Sequence, residues 1–207
     1  LKALLAEDPN FADAEITLAG ILRRKERYGD AVSHYDRAIA MAEAADEADW
    51  TLYYGRGISH ERLGAWDQAE ADFRTALRLN ADEPYVLNYL GYSLLDRGLG
   101  LDQATAMIER AVAQRPDDGF IVDSLGWAHY LAGRYQEAVA QLEKAVSLQP
   151  ADPTINDHLG DAYWKAGRTL EARFKWRHAL QMEPEPEHAA RIREKLDLGL
   201  TLVEHAQ

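Results

Sequence analysis

Apolar residues recur along most of this chain at intervals of three and four, the spacing that places them on one face of a helix. No stretch alternates apolar and polar residues with a period of two, so strands are not expected. The apolar stretches come in pairs. Within each pair they are separated by a short break: Arg-Tyr-Gly at 27–29, then Gly64, Gly98, Gly133 and Gly167, where glycine supplies the positive φ that ends a helix. The predicted elements are therefore helical hairpins and nothing else.

The hairpins repeat with a fixed period. Pro116, Pro150 and Pro184 fall 34 residues apart, and behind each lies the same frame of small residues. Gly91, Gly126 and Gly160 stand early in the unit, Ala104, Ala138 and Ala172 in the middle, and Ala111, Ala145 and Ala179 near its end. Upstream, Ala19, Ala31 and Ala38 make one further unit, and Gly57, Ala69 and Ala76 another. Five units result, at 12–45, 50–83, 84–118, 119–152 and 153–186. Small side chains at these points let helices approach closely. Tyr35, Phe73, Ile108, Leu142 and Trp176, each four positions after a middle alanine, fill the space beside them.

This period and its pattern of LG, Y/W, A, F/L/W, A and P resemble the tetratricopeptide repeat over residues 12–186. The resemblance implies an all-α fold, a right-handed α-solenoid of tandem hairpins. Two departures occur: one extra residue in Leu99-Gly100-Leu101, and the acidic stretch Glu43 to Asp49 before the second unit. Pro9 sits where a repeat-ending proline belongs, which makes residues 1–11 the expected tail of a preceding repeat, cut inside a longer protein. Residues 187–207 are expected to form a capping helix and tail, with Ala189, Ile192, Leu196 and Leu200 on the packed face and the charged residues elsewhere.

Charge and composition narrow the partners. The 207 residues carry 23 Lys and Arg against 35 Asp and Glu, a formal charge of -12, which disfavours nucleic acid or an anionic membrane as the main partner. No apolar run is long enough to span a bilayer, so direct membrane insertion is not expected. Cysteine is absent, which removes disulfides, zinc thiolates and cysteine nucleophiles from consideration.

In a tetratricopeptide array the first helices line the concave side, with residues at i, i+3, i+7 and i+10 pointing into the groove. That spacing selects Tyr85, Asn88 and Tyr92 from the third unit, Phe120, Asp123, Trp127 and Tyr130 from the fourth, and Asp157, Asp161 and Trp164 from the fifth. Aromatics with carboxylates between them suit an extended or helical protein segment bearing apolar and basic side chains. An aromatic at helical spacing also serves packing, so the set carries the assignment more than any one member. The Lys, Arg and Asn pattern by which some tetratricopeptide domains clamp a terminal carboxylate is missing: Ile16, Gly20, Asp157 and Asp161 stand at those positions.

No catalytic motif emerges. His60-Glu61 opens like a zincin motif, but Gly64 stands where the second ligand belongs. Gly98-Leu-Gly100 follows no strand, which removes the dinucleotide fingerprint. No metal or other cofactor is implied. The expected function is a non-catalytic scaffold or adaptor that binds a protein or peptide in the groove; the alternative is a structural spacer or self-assembling segment, a homo-oligomer included. The segments NYLGYSLLDRG, DDGFIVDSLGWAHYLAGRYQEAV and INDHLGDAYWKAGR also resemble the C-terminal repeats of bacterial envelope tetratricopeptide lipoproteins, some of which deliver substrates to a processing protease. That finer resemblance implies a periplasmic location and an outer-membrane anchor upstream of Leu1; the residues themselves leave a cytoplasmic location open.

Overall fold

A computed structural model describes residues 12–200; the stretch read above as the tail of a preceding repeat, 1–11, lies outside the described residues, as does 201–207. Among the described residues every regular element is an α-helix, eleven in all. They fall into two compact parts, one reaching to Val86 and the other starting at Leu87.

The N-terminal part contains α1 (Ala12–Arg24), α2 (Tyr28–Ala44), α3 (Trp50–Arg62) and α4 (Trp66–Leu79). Leu18, Ala19 and Leu22 of α1 close on Ala31 and Tyr35 of α2 in one buried cluster. Charged groups tie the helices together: buried Glu15 pairs with His34 and Arg37, and Arg56 of α3 reaches both Asp72 and Asp36 at 2.7 Å. Asp49 caps α3 by accepting from the Thr51 amide at 2.9 Å, which terminates the acidic connection in the way expected of an N-cap aspartate. Helix α5 (Pro84–Asp96) begins where this part ends.

The C-terminal part continues from α5 through α6 (Leu101–Gln114), α7 (Gly119–Leu131), α8 (Tyr135–Leu148), α9 (Pro153–Lys165), α10 (Thr169–Gln181) and α11 (Pro186–Leu198). Asp118 and Asp152 cap α7 and α9, and Pro153 opens α9 at the position where a missing N–H costs nothing. Leu142, Leu159, Trp176 and Ile192 fill the core of this part, each no more than 1% exposed. Helix α11 covers the last hairpin as the expected cap: Ala189, Ile192 and Leu200 are buried, and Leu196 packs against the same cluster. One expectation fails there. Lys195 is buried too, on a helix whose charges were all assigned to solvent.

The hairpin breaks at Gly64, Gly98, Gly133 and Gly167 have φ between +65° and +82°. The first break differs from the reading of 27–29: Glu26 takes the left-handed conformation at φ +59°, and Gly29 lies within α2. The extra residue of the third unit is absorbed at Gly100, left-handed at φ +58°, directly before α6.

From the second unit on, the glycine just past the middle of each first helix sets how closely the second can approach. A Cβ placed on Gly57 would stand 2.7 Å from Phe73, on Gly91 2.8 Å from Ile108, on Gly126 2.5 Å from Leu142 and on Gly160 2.4 Å from Trp176. These are the large residues of the repeat frame, each seated directly on a glycine. Gly126→Ala should therefore destabilise the chain by about 1–3 kcal/mol in a urea titration, because the overpacking exceeds the gain in helix propensity. Gly29→Ala, where a Cβ meets nothing within 4 Å, should instead stabilise by up to about 1 kcal/mol. Equal midpoints for the two variants would show that the glycine contact does not limit the approach.

Candidate functional site

The residues selected from the sequence lie on α5, α7 and α9, of which α7 and α9 meet through Asp123, Trp127 and His158. They have different surroundings. Phe120, at the start of α7, is 55% exposed and borders a cleft of about 480 Å³ lined also by Arg115, Pro116, Asp118 and Gln149. Asn88 and Tyr92 of α5 are half-buried. The Asn88 Oδ1 atom is buried with no hydrogen-bond partner among the described residues. Burial pushes the Tyr92 hydroxyl up to about 12, with Asp123 and Asp96 adding to the shift and Arg191 opposing it. Tyr85 is 42% exposed and falls in the N-terminal part.

The three carboxylates are not available in the way the sequence suggested. Asp123 is buried, and both its oxygens lie 3.0 Å from Nδ1 of His158. Asp157 accepts from Lys195 Nζ at 2.9 Å and lies 3.0 Å from Nε2 of His188. Asp161 accepts from Lys195 Nζ at 2.8 Å and from the Trp176 indole N–H at 2.9 Å. Their basic partners come from the chain itself, so these aspartates hold α9 to its neighbours.

The aromatics divide similarly. Trp127 stacks between Tyr130, at 4.7 Å, and the His158 ring, at 4.3 Å. Tyr130 is buried in the core cluster. Trp164 lies 5.4 Å from Trp176, with the Arg173 guanidinium 5.6 Å from its ring centroid. A Cβ on Gly199 would meet Trp164 at 2.6 Å, so the chain leaving α11 rests on that indole. Trp164, Tyr130 and the three aspartates are thus packing and pairing residues, while Asn88, Tyr92 and Trp127 are half-buried and Phe120 is exposed.

The basic members, His158, His188 and Lys195, were not selected from the sequence. A signal was present: residues 34 positions after Thr154, Asp157 and Asp161 are His188, Arg191 and Lys195, so the face continues onto α11 in the same register. Burial works against charge on His158, but Asp123 in contact and Asp157 and Asp161 nearby hold its pKa above the ordinary imidazole value. Burial likewise opposes charge on Lys195, and Asp161 and Asp157 overcome it. Asp161 is pushed up to about 6, by burial first and by the charge of Asp157, against the pull of Lys195. Asp157 is held below the ordinary carboxylate value: burial raises it, but His188 and Lys195 prevail.

Comparison with known proteins identifies the architecture. Tetratricopeptide repeat models match residues 10–82 and 54–119, and a TPR repeat model matches 126–167. The chain belongs to the tetratricopeptide repeat family. The TPR repeat-containing protein PA4667 of Pseudomonas aeruginosa is 32% identical over 115 residues, covering 53% of this chain and 20% of that protein. This tetratricopeptide chain therefore spans about a fifth of that relative's length. Among solved structures, YrrB, described as a TPR protein with an unusual peptide-binding site, superposes with TM-score 0.67 at 21% identity, covering 93% of this chain and 97% of that one. TTC0263, a thermophilic TPR protein of Thermus thermophilus, gives TM-score 0.71 at 22% identity, covering 90% and 100%. The Cut9-Hcn1 assembly of the APC/C gives 0.79 at 20% identity, covering 95% of this chain and 37% of that one. At these identities the structures establish the fold, a tetratricopeptide solenoid of paired helices. Tetratricopeptide proteins are typically non-catalytic and generally mediate protein–protein interaction.

The charge cluster of this tetratricopeptide array generates two expectations. Lys195→Met leaves Asp157 and Asp161 buried without their cation and should cost about 3–5 kcal/mol at neutral pH. The loss should shrink as pH falls and Asp161 takes up a proton. For the parent chain, His158 has its folded pKa raised, so its contribution is present below the unfolded value and lost as pH rises through the folded one. Asp161, also raised, loses stability as pH climbs from the ordinary carboxylate range towards about 6. Asp157, lowered, opposes this only below the ordinary carboxylate range. Thermal unfolding should accordingly give a higher midpoint in mild acid than at pH ~8, and His158→Gln should flatten the upper part of that slope. A flat profile in the parent chain would show that the cluster does not titrate in this window.

Proposed function

We propose that this array is a protein-binding scaffold whose first-helix face holds a partner segment at the end formed by α5 and α7. Asn88, Tyr92, Phe120 and Trp127 are the contact residues. The observation that carries this reading is the contrast along one face. Asp123, Asp157 and Asp161 are each paired within the chain, whereas Asn88 Oδ1 lacks a partner among the described residues.

A buried acceptor left unsatisfied costs about 1–3 kcal/mol. A backbone N–H from an extended partner would recover that cost after a small rotation of the Asn88 amide. Phe120 and the cleft beside it offer an aromatic anchor next to polar walls, the combination from which interface hot spots are built. The preference for basic partner side chains loses its main support, since the carboxylates meant to supply it are occupied. Aromatic and backbone contact remain.

A variant carrying Asn88→Ala and Phe120→Ser should retain its helicity and its thermal midpoint to within a few degrees, Phe120 being exposed. Affinity capture from the source cell would be compared between this variant and the parent. Partners retained by the parent and lost by the variant are the expected result. Equal capture by both would move binding off this face and favour the spacer reading.

A further inference from the structure

The buried acids of the first-helix face are matched within the chain, and one cation in their register is not. Asp123 is held by His158, Asp157 by His188 and Lys195, and Asp161 by Lys195. Arg191 of α11 stands 34 residues after Asp157, which itself stands 34 after Asp123. With Asp157 already occupied, the Arg191 side chain is exposed and makes no hydrogen bond or ion pair with any described residue.

Two further groups without partners lie on α5. The Asn88 Oδ1 acceptor is buried and unused. One turn later, the half-buried Tyr92 hydroxyl donates to no described residue. Asp123 and Arg191 both lie close enough to that hydroxyl to act on its proton, in opposite directions. Helices α5 and α11 therefore approach one another on the side of the array where α7 and α9 meet through Asp123, Trp127 and His158.

An acceptor, a hydroxyl donor and a guanidinium on one groove define what it can receive. The acceptor suits a backbone N–H; the two donors suit an anionic oxygen, and the planar guanidinium fork matches a carboxylate in particular. A basic side chain meets the opposite situation, since the acids it would seek are bonded within the chain. Of the acids that face Tyr92, Asp123 is neutralised by His158, and Asp96 is 70% exposed with Arg97 at 4.0 Å.

Resting on the reading that this face holds a partner segment, we propose that the segment carries an Asp or Glu side chain, received by Arg191 and the Tyr92 hydroxyl while Asn88 accepts a neighbouring backbone N–H. Arg191 is then a specificity-determining residue, and the capping helix is part of the binding surface. The acid lies within the segment, because the Lys, Arg and Asn pattern that clamps a terminal carboxylate is missing.

The test uses the whole chain and a displayed library of random peptides with constant flanks on both sides, so that no free terminus is presented. Selection should enrich Asp and Glu over Lys and Arg. An enriched peptide, labelled and followed by fluorescence anisotropy, should bind Arg191→Ala about tenfold more weakly than the parent. That variant should keep its thermal midpoint, since Arg191 is exposed and unpaired. Changing the peptide's acid to its amide should weaken binding to the parent by a similar factor and leave binding to Arg191→Ala unchanged. Selection against Arg191→Glu should instead enrich Lys and Arg. Peptides that lose affinity with Asn88→Ala and Phe120→Ser but are indifferent to Arg191→Ala overturn this inference and leave the groove reading standing. Peptides indifferent to all three changes, or a selection that yields none, overturn the groove reading and this inference with it.

Discussion

Each of the later hairpins is closed by the contact of one glycine with one large side chain. Phe73, Ile108, Leu142 and Trp176 rest where the glycine of the facing helix has no Cβ, and the remaining packing follows from that distance. With the two helices this close, the middle and late alanines are fully buried between neighbours. Within the C-terminal part, the first helices then lie near enough for a residue of one to reach the next. The Asp123–His158 and Trp127–His158 contacts join α7 and α9 in this way. A face made of several helices exists because each hairpin is thin.

Two chemistries share that face. Towards α11, carboxylates are buried and must find cations, and the chain supplies them from its own next helix. Two carboxylates share the single ammonium of Lys195; burial wins at Asp161 and raises its proton affinity, while at Asp157 the added hydrogen bond from His188 tips the balance the other way. Towards α5, the polar groups are fewer, and one of them keeps an unused acceptor. The first arrangement binds the helices to each other; the second leaves an acceptor unused within the described chain.

Legibility in the sequence followed the locality of the cause. The hairpins, their glycine breaks and the residues seated on the early glycines were readable because each is enforced by one or two side chains that recur at the same place. Glu26 was not readable in this way, since a non-glycine residue with positive φ carries no compositional mark. For the site, the face was legible but the state of its members was not. Whether Asp157 is open or paired depends on a residue 38 positions away in the chain, and a lone lysine on a helix is ordinarily assigned to solvent. Carrying the 34-residue register one step beyond the fifth unit would have placed Lys195 in line with Asp161.

The pairing of Lys195 with Asp157 and Asp161 also sets a condition on any helix that packs against α10 at this position. A further hairpin grafted after α10 would put a generic first helix where α11 now lies, and the two aspartates would lose their counter-ion. Lengthening the protein at this end therefore requires either a new cation in the same register or the simultaneous loss of both acids. Helix α11 completes a charge balance that a copy of a preceding first helix would not reproduce, since Trp127, Tyr92 and Ile58 stand in the register of Lys195.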